Sequence, residues 1–412
     1  MHDDSEFVEG GWEGWLVVAG CFLIGAPTVG DLLWGVFQAY HSAHLLSGTP
    51  DATISLIGAS QNAMMAGVAF VSGKLGDRYG YKCFIVAGCV IVFVSQLSAA
   101  WCKQFWSIFI TQGVLQGLGC GLTLPMVFAL PSQWFKRHRG LATGIVIAGA
   151  ALGGAVSSLI VQAMLLRMGL HMTLFIYSFA QGGILFAGCL LIKTRARPSH
   201  APETDRRKIQ WVDTVYFKDL VFWSCWLSFA LFVLGYQIPF IFISVYVNET
   251  IPSASSQLAS LPISIMNFSG AVGRTTVGLV ADQIGFLNAF ILTGIVSAFS
   301  QAVLWNLTTH TYAGVIVFSI IFGMTGPCYV SLITPIAATL YGIQSLATLT
   351  GLLNIASLPG ALGGPPIGGY ILRASGGNWR LLAGYSGIVQ FLGVACILYA
   401  RFKREAKFLA HL

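Results

Sequence analysis

The sequence predicts an all-α membrane protein with twelve transmembrane helices in two six-helix, pseudo-symmetric halves. Only 9% of its 412 residues are Asp, Glu, Lys or Arg, against about 25% in a typical soluble domain. Mean hydropathy is +0.76, and the apolar residues form stretches of about 20, the length that crosses a bilayer. A soluble core of this size would need a far more charged surface, so a soluble fold is excluded.

Twelve apolar stretches fall into two sets of six. The first set lies near 15–37, 54–73, 83–102, 105–128, 140–163 and 171–192. The second set lies near 220–247, 258–280, 287–305, 312–334, 345–372 and 380–401. The most polar segment of the chain separates them and begins KTRARPSHAPETDRRK. We therefore expect an N-terminal half (1–192), a cytoplasmic linker (193–219) and a C-terminal half (220–412).

The distribution of positive charge predicts the orientation. With both termini in the cytosol, 17 of the 22 Lys and Arg lie in cytoplasmic segments, four lie in outer loops, and Arg274 lies within a span. This asymmetry follows the positive-inside rule. The formal charge of +7 then suits the anionic inner leaflet of the bilayer and does not indicate nucleic acid. We expect a multi-pass protein of the plasma membrane, whose acidic first eleven residues are a cytosolic tail and not a signal peptide.

Several function classes lack their sequence signals. The nine cysteines are scattered singly, without a CxxC pair or a His/Cys metal spacing, so neither a disulfide framework nor a metal site is predicted. The eight histidines are dispersed, and no paired carboxylates share one depth, so we expect no enzyme and no cofactor. There is no Walker lysine motif, so ATP does not drive the protein directly.

A glycine-framed charged loop, GKLGDRYGYK, separates the second and third spans. Such a loop allows close helix packing and places a carboxylate and basic groups at the cytoplasmic rim, where they can form a breakable ion-pair lock on a substrate path. After the eighth span, GLVADQIG repeats the two glycines and the aspartate at the same spacing but lacks the basic residues, which indicates an internal duplication. The predicted gating residues are Gly73, Asp77, Arg78, Gly80, Lys82 and Asp282.

Glycines and prolines recur at particular places within the predicted spans. Gly113, Gly117 and Gly121 recur every four residues in the fourth span, a spacing that lets helix backbones approach closely. Prolines interrupt several spans and are concentrated in the tenth and eleventh, where we expect kinks. Close packing alone explains the glycines; faces that slide during transport are the alternative.

Two charged residues lie within predicted spans. Arg274, in the eighth, is either a docking point for an anionic or carbonyl-rich solute or a structural arginine that bonds freed carbonyls. Asp31, in the first, either carries a proton, accepts a hydrogen bond from the substrate, or bonds neighbouring helices. A small molecule and a co-transported proton are therefore the expected partners within the lipid bilayer.

Neutral polar residues complete the predicted cavity. Tyr236 and Gln237 precede Pro239 in the seventh span, where we expect a broken helix. Asn267 and Asn354 are further candidates, although hydrogen bonding between helices explains any one of these residues more often than substrate contact does. Gln112 and Gln116 are interpreted as such helix contacts. The predicted substrate-binding residues are Arg274, Asp31, Tyr236, Gln237, Asn267 and Asn354. Asn248, in Asn-Glu-Thr, is a candidate glycosylation site on the outer side.

Several motifs resemble a known transporter family. The loop from Gly73 to Lys82 is similar to the signature loop of the major facilitator superfamily. EGGWEGW, before the first span, and WFKRHRGLATGIVIAGAALGG, after the fourth, resemble the two signatures of its monocarboxylate porter family, with an additional Glu13 and with Ala150 in place of serine. GVFQAY and ISLIGASQ look like the fungal branch. The resemblance implies a twelve-helix fold, alternating access and a small solute.

One departure limits the resemblance. Animal lactate carriers of the family have a lysine in the first span and an aspartate–arginine pair in the eighth. Here Arg274 matches the arginine, but Gly270 occupies the aspartate's place and the first span has no lysine. We therefore predict secondary active transport of a small organic acid or related metabolite. The alternatives are efflux of a secondary metabolite and, from another class, a membrane nutrient sensor that does not transport.

Overall fold

The protein is helical in nearly all residues that the computed structural model describes. These are residues 9–28, 32–46, 48–49, 51–195, 214–251, 256–308 and 310–404. Within them, nine helical runs are long and apolar enough to cross a membrane. One of the nine, Arg139–Leu191, contains two spans because Gly169 (φ 74°) interrupts its helical geometry. Helices Gly11–Thr28 and Ser256–Ile284 correspond to the first and eighth spans, so helices occur at all twelve predicted spans among the described residues.

The N-terminal half contains the first six spans. Their helices are Gly11–Thr28 with Leu32–Tyr40 (first), Asp51–Tyr79 (second), Tyr81–Ala99 (third), Phe105–Ile108 with Gln116–Ala129 and Pro131–Trp134 (fourth), and Arg139–Leu191 (fifth and sixth). Two segments are π-helical: His41–Leu45 extends the first span, and Phe109–Leu115 lies within the fourth.

The C-terminal half repeats this order after a short helix, Thr214–Lys218. Its helices are Leu220–Thr250 (seventh), Ser256–Ile284 (eighth), Phe286–Phe299 with Trp305–Thr308 (ninth), Tyr312–Thr325 with Tyr329–Tyr341 (tenth), Leu346–Ile355 with Ser357–Ala374 (eleventh), and Trp379–Arg404 (twelfth). A π-helical segment, Ser300–Leu304, lies within the ninth span, and a 3₁₀ turn, Gly326–Cys328, lies within the tenth.

The glycine face of the fourth span packs directly on the second span. A Cβ atom at Gly117 would lie 2.5 Å from the carbonyl oxygen of Gln61, and one at Gly121 would lie 2.7 Å from that of Met65. Because any side chain would have to displace backbone, these positions allow only glycine at this helix separation. The predicted close approach is confirmed.

The prolines bend some spans and not others. The tenth span changes to a 3₁₀ turn at Pro327, and the eleventh divides at Ala356, three residues before Pro359. The helices continue, however, through Pro335 and through Pro365 and Pro366, where kinks were also expected. The seventh helix likewise continues through Pro239, so the expectation of a broken helix there is wrong. A single proline removes one backbone hydrogen bond and can bend a helix without ending it.

Both ends of the linker lie at the same end of the bundle, together with the N-terminal residues. There Glu9 bonds the chain that follows the fourth span, Glu13 pairs with Lys193, and Asp219 pairs with Arg404. This is referred to below as the linker end. The two halves make their most extensive contacts through the second and eleventh spans and through the fifth and eighth.

Candidate gate and substrate path

Asp77 bridges the two halves at the linker end. Its Oδ2 accepts hydrogen bonds from the backbone nitrogen of Thr348 (2.8 Å) and from the Thr348 hydroxyl (2.6 Å). Its Oδ1 accepts from Tyr81 (2.7 Å) and from the backbone nitrogen of Ala347 (3.3 Å). Ala347 and Thr348 lie in the first turn of helix Leu346–Ile355, so the carboxylate caps that helix and faces the positive end of its dipole.

Asp282 makes the same connection in the opposite direction. Its Oδ1 accepts from the backbone nitrogen of Gly140 (2.7 Å), and its Oδ2 accepts from that of Leu141 (2.9 Å). These residues begin helix Arg139–Leu191. Each half therefore supplies a carboxylate that caps a helix of the other half.

The backbone around the two carboxylates is also repeated. Gly80 (φ 96°, ψ 153°) and Gly285 (φ 91°, ψ 149°) follow the two aspartates at equal spacing, in a conformation that only glycine adopts readily. Gly73 lies directly against the carbonyl oxygen of Ala347, and Gly278 lies against that of Gly140. The glycine frames therefore let the two pairs of helices approach until the carboxylates reach the backbone amides.

A second pair of glycines extends this contact towards the middle of the bundle. Gly144 lies against the carbonyl oxygen of Arg274, and Gly351 lies against that of Ala69, where a Cβ atom would be 2.7 Å away. Arg274 and Ala69 thus occupy equivalent backbone positions at the two contacts. Only the first of them carries a charged side chain.

The chemistry of the gate differs from the predicted ion-pair lock. Arg78 and Lys82 are exposed, and Arg78 lies over the ring of Tyr79, while Asp77 bonds amide and hydroxyl groups. Backbone amides at a helix N-terminus carry partial positive charge and replace the expected cation. A hydrogen bond to a charged group contributes about 1.5–3 kcal/mol, so these caps are strong enough to hold one conformation and weak enough to break.

The two motifs that resemble the porter signatures contact each other. Oε1 of Glu9 accepts from the backbone nitrogens of Lys136 (3.1 Å) and Arg137 (2.7 Å), and the rings of Trp15 and Phe135 lie 4.8 Å apart. The first motif therefore positions the chain immediately before the helix that Asp282 caps. The sequence analysis gave Glu9 no role, although its place at the start of that motif was a signal.

Glu13, the additional residue in the first motif, has a partner of its own. Its Oε1 lies 3.0 Å from Nζ of Lys193, and the side chains of Glu13 and Lys193 are 60% and 62% exposed. An ion pair with this exposure contributes at most about 1 kcal/mol.

Arg274 lies beside the contact between the fifth and eighth spans. Its Nη1 is 3.4 Å from the carbonyl oxygen of Ile147, a long hydrogen bond, and its Nε is buried without a partner among the described residues. A guanidinium carries five N–H donors, so much of this group's hydrogen-bonding capacity remains for another molecule.

Tyr236 and Gln237 face different neighbours. The ring of Tyr236 packs among Phe240, Phe322 and Tyr329, with centroids 5.1–6.2 Å away. Gln237 faces the eleventh span: a Cβ atom added at Gly364 would lie 3.7 Å from the Cβ atom of Gln237. The tenth span connects Tyr236 with the eighth span. Its Tyr329 packs against Tyr236, and its Pro327 lies next to Gly270 of the eighth span, which is one helical turn before Arg274.

The remaining predicted residues are more dispersed. Asn267 lies seven residues before Arg274, hence on the same face of the eighth helix, and its Nδ2 bonds the carbonyl oxygen of Ile263 (2.9 Å). Asn354 likewise bonds Thr350 (2.9 Å) in its own helix. Asp31 lies outside the described residues. Asn248 is exposed in the last turn of helix Leu220–Thr250, and its glycosylation stays a prediction.

Comparison with protein families matches residues 28–251 to the Major Facilitator Superfamily. Among curated proteins, the chain is 30% identical to the agnestins efflux protein of Paecilomyces divaricatus, over 94% of this chain and 87% of that protein. It is 29% identical to the aspyridones efflux protein of Emericella nidulans, over 95% of this chain and 78% of that protein.

Among solved structures, the fold is similar to that of a proton:xylose symporter of the major facilitator superfamily bound to 6-bromo-6-deoxy-D-glucose. The TM-score is 0.72 at 12% sequence identity, and the match covers 95% of this chain and 96% of the symporter. At this identity the likeness concerns the fold alone.

Proposed function

The chain belongs to the major facilitator superfamily, and we propose that this transporter exports a small organic metabolite by alternating access. The observation that carries the mechanism is the pair of reciprocal caps, Asp77 on Thr348 and Asp282 on Leu141. Both join the two halves at the linker end. Breaking them would let the halves rock apart at that end and expose the path between them.

The proposed orientation has the linker end in the cytosol, with both termini inside a plasma-membrane protein. The asymmetry of Lys and Arg, 17 to 4, supports it. Labelling of cysteines introduced into the linker, 193–219, tests it: they should react with an impermeant reagent only after the cells are opened. Labelling in intact cells would contradict both the orientation and the division into halves.

Export is supported by the names of two relatives, an agnestins efflux protein and an aspyridones efflux protein. Membership of the monocarboxylate-porter branch is also part of the proposal, because the two motifs that resemble its signatures contact each other through Glu9. The chain lacks the lysine and, at Gly270, the aspartate of lactate carriers. These differences favour a cargo other than lactate.

Uptake of a small organic acid is the second candidate function, and Arg274 favours such a cargo. The buried Nε without a partner among the described residues suits a carboxylate, which two parallel N–H groups can bind. In this version Asp31 is proposed to carry the co-transported proton.

Deletion of the gene in its source organism tests the direction of transport. Mass spectrometry of all metabolites should show that the deletion lowers the amount of one or a few of them in the medium and raises their amount in the cells. Wild type should restore export, and Asp77→Asn should not at equal expression. Unchanged distributions would overturn the export proposal, and an acid that is instead left behind in the medium would support the second candidate.

A further inference from the structure

A chamber lined by amides lies inside the N-terminal half, beside the end of helix Gly11–Thr28. Gln61 from the second span, Gln96 from the third, and Gln112 and Gln116 from the fourth form most of its polar wall. The chamber has a volume of about 20 Å³, which is room for one water molecule or one hydroxyl group. The sequence analysis interpreted Gln112 and Gln116 as contacts between helices.

Two buried amides present unused hydrogen-bonding atoms to this chamber. Gln96 and Gln112 are only 4% and 3% exposed. Oε1 of Gln112 lies 3.1 Å from Nε2 of His41; with the imidazole N–H donating, the Gln112 amide nitrogen is left as a donor. Neither that nitrogen nor Oε1 of Gln96 has a partner among the described residues. The wall thus offers one donor and one acceptor.

The carbonyls at the end of the first helix are already occupied. The oxygen of Pro27 accepts from Nε2 of Gln181 (2.9 Å), and the oxygen of Thr28 accepts from Sγ of Cys120 (2.7 Å). Gln96 Oε1 and Gln112 Nε2 are therefore fully buried atoms of this wall that have no partner among the described residues.

The described residues of the C-terminal half differ at the equivalent place. Gly117 packs on the carbonyl oxygen of Gln61, and Gly323 packs in the same way on that of Met266. The two contacts align the halves and place methionine where the chamber has Gln61.

The alignment extends along the fourth and tenth spans. Counting back one residue from each glycine pairs Gln116 with Phe322. Phe322 is fully buried and stacks on Phe318, which is also fully buried, with the ring centroids 5.6 Å apart. The C-terminal half thus has apolar side chains, Met266 and Phe322, at positions where the N-terminal half has the amides of Gln61 and Gln116.

The third and ninth spans each carry a buried glutamine at the same place. Gln96 and Gln301 each lie sixteen residues after the glycine that precedes their helix, Gly80 or Gly285. In the C-terminal half, Gln301 donates to Oε1 of Gln390, and its own Oε1, like that of Gln96, has no partner among the described residues. Gln96 is left facing the chamber.

We propose that this chamber binds a hydroxyl group of the cargo, which water replaces when the site is empty. A hydroxyl both donates and accepts, so it can pair with Gln96 Oε1 and Gln112 Nε2 together, whereas a ketone or ether only accepts. A carboxylate or ammonium would place a charge among neutral amides. Trp34, which also lines the chamber, is half-buried and offers an aromatic surface, so a phenol fits best. This rests on the proposed transport function.

Thermal stability of matched variants tests whether the chamber amides serve binding or packing. Gln96→Leu removes an amide whose oxygen is unpartnered among the described residues, so its melting temperature should equal or exceed that of wild type. Gln301→Leu, at the equivalent position, removes a bond to Gln390 and should melt lower. Equal losses in both variants would make Gln96 a structural residue and overturn the proposal.

Binding of paired probes tests the ligand class. Purified protein is titrated with 1-naphthol and 7-hydroxycoumarin and with their methyl ethers, which differ only at the hydroxyl. Wild type should prefer each phenol by about tenfold, and Gln112→Leu and Gln96→Leu should lose that preference while Gln301→Leu keeps it. Equal affinity for phenol and ether, or no binding of either, contradicts the proposal. Export of a metabolite without a hydroxyl group would overturn the chamber alone, whereas absence of any export would overturn the proposed function.

Discussion

Asp77 accepts two hydrogen bonds from Thr348, one from its backbone nitrogen at 2.8 Å and one from its hydroxyl at 2.6 Å. The two residues belong to different halves, and Asp77 is only 8% exposed. Because opening of the linker end would separate the second span from the eleventh, it must break both bonds and hydrate the carboxylate. In the proposed mechanism this contact therefore sets part of the free-energy difference between the closed and open conformations.

Asp77→Asn should reduce transport while leaving membrane insertion intact. The amide keeps one acceptor but loses the charge, which weakens the cap by about 1–2 kcal/mol and shifts the conformational equilibrium roughly 5–30-fold. Thr348→Val removes only the hydroxyl bond and should have a smaller effect. Initial transport rates at matched surface expression measure both, and a normal rate for Asp77→Asn would count heavily against a gating role.

Gly144→Ala and Gly351→Ala should both destabilise the closed conformation. Each added methyl group would meet a carbonyl oxygen of the opposite half, that of Arg274 or Ala69, and such overpacking costs typically about 1–3 kcal/mol. Gly183→Ala is the control, because a Cβ atom there meets nothing within 4 Å. Melting temperatures and transport rates should fall for the first two variants only. A similar change in all three would show that helix propensity, not the contact between halves, is being measured.

Arg274→Ala should weaken binding of an anionic cargo by roughly tenfold or more, because charge-assisted hydrogen bonds are lost. Arg274→Lys should restore it only in part, since a point charge lacks the planar fork. The readouts are affinity for the cargo that the export experiment identifies and the melting temperature of each variant. Wild-type affinity combined with a much lower melting temperature would make Arg274 a structural residue.

Glu9→Ala should lower the melting temperature more than Glu13→Ala. Glu9 bonds two backbone nitrogens of the loop before the fifth span, and loss of such a capping bond costs about 1 kcal/mol. The Glu13–Lys193 pair is about 60% exposed on both sides and contributes little. Melting curves in the same detergent compare the two, and the reverse order would show that the motif acts through Glu13.

Sequence patterns alone predicted the twelve spans and identified Asp77 and Asp282 as related residues, because apolar length and a repeated GxxxDxxG spacing are local signals. They could not identify the partners. Thr348 lies 271 residues from Asp77, and a backbone amide has no residue signature. The proposed role of the glutamines was equally hidden, since Gln116 resembles any polar helix contact until its equivalent, Phe322, is known. Long-range pairing and comparison of the two halves require coordinates.

The separation of the two halves at the linker end tests the reciprocal caps most directly. Spin-labelled amino acids placed at Lys82 and Ile343, which are exposed and belong to opposite halves, allow the distance distribution to be measured by pulsed electron paramagnetic resonance. Wild type should show one predominant short distance, and Asp77→Asn combined with Asp282→Asn should add a substantial population at longer distance. An unchanged distribution in the double variant would contradict the claim that these two carboxylates hold the linker end closed.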